Sequence, residues 1–421
     1  MKLLVLAHTP PPPHGQSMMV KLMVDGFGGD CRGARPAAPD GNTATLAEGR
    51  RFGITVYHVN ARLSSSLADV GRVRPAKALR LAGYCAQALW VRFRHDVKAL
   101  YYVPSPPKRS ALYRDWLVMA CCRPFFRTMT LHWHAVGLGE WLEHHASRPE
   151  RWITRALLGR ADLAIILSRL HQADVEKMKP RRMAVVANGL ADPCPDYGLT
   201  MAPRRLARAA ARRRLLAGQT LNEEEGRQAG EHPEVVQVLF LAHCTRDKGL
   251  FDAVEGVRLA NEQLAARGLS VGLRLTVVGA FLRAEEQTEF ERLLARPGTS
   301  SWLRHLGFIG EPDRKWAVIR EADVFCFPTY YANEAQPINL IEAAAFGLPL
   351  VTTRWRSIPE FMPLGHPGLV NPRQPAEVAA ALVAVLGDDG VAFRDLYEKQ
   401  FSLARHLEAL AAALRRTDPA L

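Results

Sequence analysis

Residues 333–359 read NEAQPINLIEAAAFGLPLVTTRWRSIP, and the reading of this stretch decides the fold. Pro337 suits the first turn of a helix, where its missing N–H costs nothing. Ile338, Ile341, Ala344 and Ala345 then fall on one buried stripe, and Gly347 ends the run. Leu348–Thr353 reads as a buried strand. Glu334 precedes the helix, and Glu342 lies one turn inside it. A helix N-terminus attracts anions, so two carboxylates there need another partner, and hydroxyl-rich ligands suit ionised acceptors. Glutamate is almost never buried unless paired, yet Glu342 stands between Asn-Leu-Ile and Ala-Ala-Ala-Phe. The plain alternative for it is a local salt bridge or a wet helix edge.

Outward from that motif, helix and strand patterns alternate along the whole chain. Strands are predicted at Lys2–Ala7, Ile54–Val59, Ala99–Val103, Arg127–Trp133, Ala161–Ser168 and Met183–Val186. A second series follows at Val235–Ala242, Leu273–Gly279, Leu306–Gly310 and Glu321–Thr329. Such regular return of α and β elements predicts two parallel-sheet domains, with ligands gathering at the C-terminal strand ends. The expected division is 1–190, a linker or insertion over 191–233, a second domain over 234–387, and terminal helices over 388–421. In the linker, the run from Arg204 to Arg214 reads as a surface helix with little core contact.

Several residues fall where such folds do chemistry. Lys248 follows a strand and precedes a helix, placed to oppose a diphosphate as a point charge. Arg246 is close by, and His243 stands at the strand exit. His132 and His134 lie at i and i+2 on one strand face; no third ligand at convincing spacing follows, so a metal pair is a poor account. The loop after the first strand holds His14 and Gly15, which fit a ligand edge and a purely structural loop equally well. Asn188-Gly189 reads as a turn, since asparagine tolerates left-handed geometry and glycine permits it.

The spacing E-x7-E between Glu334 and Glu342, in the setting EAQPINLIEAAAFGLPLVTT, resembles the retaining nucleotide-sugar-dependent glycosyltransferases of family 4 (glycosyltransferases group 1). The resemblance implies the GT-B fold, α/β with two facing Rossmann-like domains and a central cleft. It also implies roles. Glu334 meets the donor sugar, Glu342 the ribose, and Ala335, Gln336 and Pro337 lie near the sugar and diphosphate. The histidine following the fourth strand contacts the donor at the reacting centre, a role carried to His134 with His132 as the fallback. Lys248 holds the diphosphate. The family usually has an arginine five residues before that lysine; His243 stands there instead, which makes Arg246 the conditional substitute. Gly15-Gln16 likewise departs from the family's usual Gly-Gly pair. Phe308-Ile309-Gly310 is expected near the base.

The composition fits this class. At 421 residues, 48% apolar and 23% charged, the chain can bury a large core and is not of disordered type. Seven scattered cysteines without a C-x2-C pair indicate neither a zinc knuckle nor a disulfide framework. The start reads as no signal peptide, and no apolar run approaches the roughly 20 residues that span a bilayer. The net charge of +13 points to an anionic partner: nucleic acid, an acidic membrane face or a diphosphate-bearing substrate. No base-reading module supports nucleic acid. The basic helix predicted from Arg72 to Arg94, with Trp90 among its residues, reads either as solvated surface or as a seat on anionic lipid.

By resemblance the partners are a nucleotide-sugar donor and a glycan or polyprenyl-diphosphate-linked glycan acceptor, in cell-envelope or exopolysaccharide synthesis. The expected place is cytoplasmic, peripheral at the inner membrane face. No cofactor or metal is implied, the nucleotide sugar being a substrate. A phosphorylase or epimerase of similar architecture, or a non-catalytic partner protein that kept the fold, stays open.

Overall fold

The computed structural model describes residues 1–11, 15–32, 52–62 and 75–417. His14, Arg72, Arg74 and most of the loop expected over 30–53 lie outside the described residues. The chain forms two compact units. One comprises Met1–Gly189, Asn333–Gln336 and Leu403–Leu421; the other comprises Leu190–Ala332 and Pro337–Ser402.

In the first unit, strands β1 (Lys2–Ala7), β2 (Thr55–Asn60), β3 (Ala99–Tyr102), β4 (Thr128–Trp133), β5 (Leu163–Ile166) and β6 (Met183–Val185) make a sheet in the order β2-β1-β3-β4-β5-β6. Every pairing is parallel. Continuous apolar runs such as Leu3–Ala7 mark strands covered on both faces. The helices are α1 (Gly15–Gly26), α2 (Pro75–Arg94), α3 (Arg109–Cys122), α4 (Leu138–His144), α5 (Arg148–Leu157) and α6 (Gln172–Glu176). Leu81, Ala88 and Val91 of α2 and Leu112 and Met119 of α3 pack with Leu4, Leu6, Leu100 and Leu131 in one core. A second core joins Leu3, Val5 and Tyr101 to Val20 and Met23 of α1.

The second unit carries β7 (Val235–Leu241), β8 (Gly272–Val278), β9 (Leu303–His305), β10 (Val324–Phe327), β11 (Leu350–Thr353) and β12 (Leu369–Val370), again all parallel, in the order β12-β11-β10-β7-β8-β9. Its helices are α7 (Tyr197–Leu216), α8 (Glu223–Ala229), α9 (Leu250–Ala266), α10 (Ala284–Leu294), α11 (Pro312–Glu321), α12 (Ile338–Ala345), α13 (Pro375–Ala384) and α14 (Val391–Leu396). The last helix, α15 (Leu403–Arg415), belongs to the first unit, where Leu407, Leu410 and Leu414 complete the core that holds α1.

Three local expectations need correction. The strand expected at Leu306–Gly310 lies earlier, at β9; Gly307 takes φ +70° and breaks the extension, and Phe308 is left exposed. The arginine-rich run is not a surface helix. Arg205, Arg208 and Arg212 share one face of α7, at i, i+3 and i+7, and all three are buried. Arg208 and Arg212 close on the buried Asp323, with Arg208 Nε at 2.9 Å and Arg212 Nη2 at 2.6 Å, while Arg205 Nε donates to the Phe346 carbonyl at 2.7 Å. Finally, neither Asn188 nor Gly189 adopts a positive φ, so this pair is not a left-handed turn.

Candidate active site

In an open parallel sheet, ligands collect where the strand order reverses. For the second sheet that point lies at β7, from which the chain builds outward through β8 and β9 on one side and β10 on the other. The loop after β7 carries Lys248 at the end of a short 3-10 turn, Arg246–Lys248. Gly249 follows with φ +81°. A Cβ there would meet the Pro328 carbonyl oxygen at 2.2 Å, so only glycine lets this loop lie against the exit of β10. The two exits are tied together, because the Tyr330 N–H donates to the Asp247 carbonyl at 2.8 Å and Thr329 Oγ1 donates to it at 3.3 Å. Lys248 Nζ sits 4.4 Å from the centroid of the Tyr331 ring, a cation–π arrangement that holds the ammonium at the switch point.

Two other basic residues, His243 and Arg246, stand near Lys248 in the chain. Burial lowers the pKa of His243, and the Lys248 ammonium lowers it further, so His243 is a neutral imidazole at neutral pH. Arg246 is paired with Glu289 at 2.5 Å and lies over the Phe251 ring; the hydrogen bond to Glu289 keeps its pKa high. The substitute phosphate ligand considered in the sequence is thus engaged by a carboxylate. Other basic and aromatic groups gather at the same strand ends, and sequence reasoning passed over them. Arg373 lies over the Tyr330 ring at 4.6 Å. After β11, Trp355 Nε1 donates to the Tyr331 carbonyl at 2.8 Å and Arg356 Nε to the Ala332 carbonyl at 3.1 Å. The signal was present in Thr353-Arg354-Trp355-Arg356, two arginines and a tryptophan straight after a buried strand.

Helix α12 starts after Pro337, whose φ of −66° and ψ of 120° make it the N-cap residue rather than the first helical one. Glu342 is 8% exposed, and its Oε1 accepts from Lys315 Nζ at 2.7 Å. The salt-bridge alternative is therefore realised. Burial raises the Glu342 pKa, and Lys315 partly counters it. A carboxyl whose folded pKa exceeds its unfolded value of about 4.3 loses stability as pH rises between the two. Lys315→Met removes the counter-charge, so we expect a loss of about 2 kcal/mol at pH 8 and a smaller one at pH 5, read by urea unfolding. Equal losses at both pH values would contradict this pairing.

In the first unit, Glu334-Ala335-Gln336 is fastened across the exits of three strands. Ala335 packs with Val136, beyond β4, and Leu167, beyond β5. The Asn188 N–H, beyond β6, donates to Gln336 Oε1 at 2.6 Å, Asn188 Nδ2 donates to the Gln336 carbonyl at 3.3 Å, and Gln336 Nε2 donates to the Leu167 carbonyl at 3.4 Å. Asn188, 2% exposed, is a clamp. Glu334 is 8% exposed.

The two histidines at the end of β4 divide clearly. His132 is buried, its Nδ1 sharing a hydrogen bond with the Tyr101 hydroxyl. Burial, then His134 and His406, hold its pKa well below the usual value, so it stays neutral. His134, just past the strand, lies tilted against it with ring centroids 4.0 Å apart and is partly exposed. Of the two, His134 is the ring a ligand can reach. Gly15 is exposed and opens α1. Among the described residues, no three His, Cys, Asp or Glu side chains are grouped to hold a metal ion.

Two units, each a six-stranded parallel sheet between helices, make this chain a GT-B-fold protein. Over 99% of its length it superposes on all of HepE from Anabaena, solved with UDP and glucose, at a TM-score of 0.61 and 17% identity. It matches all of sucrose-phosphate synthase from Thermosynechococcus elongatus along its full length, at 0.65 and 16%.

Residues 236–388 match the family model of glycosyl transferases group 1, and the chain is related to that family through its second unit. It is 30% identical over 157 residues to a putative colanic acid biosynthesis glycosyltransferase, WcaL, of Salmonella typhimurium, the match covering 35% of each chain. Against glycogen synthase of Mycobacterium tuberculosis the identity is 30% over 164 residues, 38% of this chain and 36% of that one. The match thus spans little more than a third of these curated relatives.

Proposed function

We propose that the protein is a hexosyltransferase. It moves a sugar from a nucleotide-sugar donor, with retention of anomeric configuration, to a hydroxyl of a glycan or polyprenyl-diphosphate-linked glycan. The setting is envelope or exopolysaccharide synthesis at the inner face of the cell membrane. The observation that carries this reading is Lys248, held at the switch point of the unit that matches the group 1 glycosyl transferases. Transfer builds positive charge at the anomeric carbon and negative charge on the departing diphosphate, so cations and N–H dipoles belong beside the phosphates. Lys248 and the N-terminal N–H groups of α12 take that part. Glu334 and His134 orient the sugar, Gly15 meets the donor, and Glu342 exchanges its Lys315 contact for the ribose hydroxyls. The leaving phosphate assists attack from its own face of the sugar.

UDP-sugars are the first donors to test, since HepE, of the same fold, has been solved with UDP and with UDP-glucose. The likeness to a colanic acid and an amylovoran biosynthesis glycosyltransferase supports polysaccharide assembly as the setting. Thermal unfolding with UDP, GDP and ADP and their sugars tests the reading. A ligand at a hundred times its Kd stabilises by about 2.7 kcal/mol, so one nucleotide should raise the midpoint by several degrees. No shift with any of the three would count against a nucleotide-sugar site.

A further inference from the structure

Helix α2 faces solvent with the wrong chemistry for a solvated surface. Its inner side is apolar, as expected, through Leu81, Cys85, Ala88 and Val91. Its outer side is apolar too: Leu79, Ala82, Ala86, Trp90 and Phe93, spaced i, i+3, i+7, i+11 and i+14, are all exposed. Leu79 is 78%, Trp90 57% and Phe93 64% exposed. The stripe continues sideways. Phe125, in the 3-10 turn after α3, meets Phe93 edge-on with ring centroids 5.9 Å apart, and Arg92 Nε donates to the Phe125 carbonyl at 2.7 Å. Large exposed apolar patches mark interaction sites.

The charges select the occupant. Helix α2 contains no acidic residue, while Arg80 and Arg94 are exposed beside the stripe. Asp96, just past its end, is paired with Arg92 and Lys98. A second copy of the chain would set arginine against arginine across a self-complementary contact. Anionic headgroups above acyl chains complement both features at once, with tryptophan at the interface and arginine stems lying along it. Among the described residues no helix is long and apolar enough to cross a membrane; the inner side of α2 is packed in the core, so its outer side can meet a bilayer only at the interface. We propose that the outer face of α2, extended by Phe125, seats the first unit on an anionic lipid bilayer. This deepens the membrane-face location given above by naming the surface, and it is tested without reference to glycosyl transfer.

The full chain is sedimented with vesicles of phosphatidylcholine alone and with 30% phosphatidylglycerol, about that fraction giving a strongly anionic surface. Binding is expected only to the anionic vesicles. Trp90→Ser with Phe93→Ser should weaken it by about tenfold or more, and Arg80→Gln or Arg94→Gln by roughly fivefold each. All four side chains are solvent-facing, and an unchanged unfolding midpoint confirms folding; Leu79→Ser is the reserve variant. Equal binding to both vesicle types, or binding indifferent to the Trp90/Phe93 pair, overturns the proposal. No vesicle binding overturns it as well, and a concentration-dependent dimer abolished by the same pair would assign the face to a second copy. Nucleotide-induced thermal shifts should be unaffected by these variants, so failure here and failure of the transferase reading are separable.

Discussion

Replacing Lys248 by alanine is expected to lower turnover of the cognate nucleotide sugar by roughly 10²–10³-fold while leaving the unfolding midpoint nearly unchanged. The proposal gives this ammonium the task of meeting charge that develops on the departing diphosphate, and preorganised positive charge there acts mainly on the transition state. The structural cost is small, because Lys248 is only partly buried and the contacts of its ammonium with the Tyr331 and Phe327 rings are of a kind worth about 0.5–1 kcal/mol at exposed sites. Lys248→Arg should recover part of the rate, since it keeps the charge but not the compact geometry. His243 cannot substitute, being held neutral by burial and by Lys248 itself. Glu334→Ala should lose turnover on the same scale through the sugar. Nucleoside diphosphate release reads both, and unchanged rates would remove these residues from the mechanism.

The largest expected effect on stability lies at the other end of the second sheet. Asp323→Ala should cost about 3–5 kcal/mol, the range for breaking a buried ion pair from one side. Asp323 is 6% exposed and accepts from Arg208, Arg212 and the Gln237 N–H, the last at 2.8 Å. Its removal leaves two buried guanidinium groups facing each other. Burial alone would raise the Asp323 pKa, but Arg212 and Arg208 more than offset it and hold the carboxyl below its ordinary value. A depressed folded pKa contributes stability that is present above the unfolded value of about 3.9 and lost as pH falls through the folded value. Urea unfolding at pH 7 and at pH 3 should therefore show the gap between wild type and variant narrowing in acid. A gap under about 1 kcal/mol at pH 7 would contradict the burial of this triad.

What the sequence disclosed follows from which interactions are local. The continuous apolar runs of β1, β5 and β10 mark parallel strands without help from elsewhere, and Pro337 and Gly347 bracket α12 from within its own segment. What it concealed depends on partners remote in the chain. The arginine stripe of α7 reads as solvated surface until Asp323 is known to lie beneath it. Asn188-Gly189 has turn chemistry, yet Asn188 is spent on Gln336, 148 residues away. Glu342 was legible as a buried carboxylate but not as Lys315's partner. Arg246 is adjacent to the site in sequence, and only its contact with Glu289 shows it engaged elsewhere. The sequence already favours His134 over His132; what stayed hidden was Tyr101, which holds the inner ring.

The most direct test is to incubate the purified chain with UDP-, GDP- and ADP-sugars and membrane-extracted acceptors, and to measure nucleoside diphosphate release. The account predicts release from one donor class, dependent on acceptor and nearly abolished by Lys248→Ala. Absence of release from all three donors, or release that Lys248→Ala leaves untouched, would contradict it.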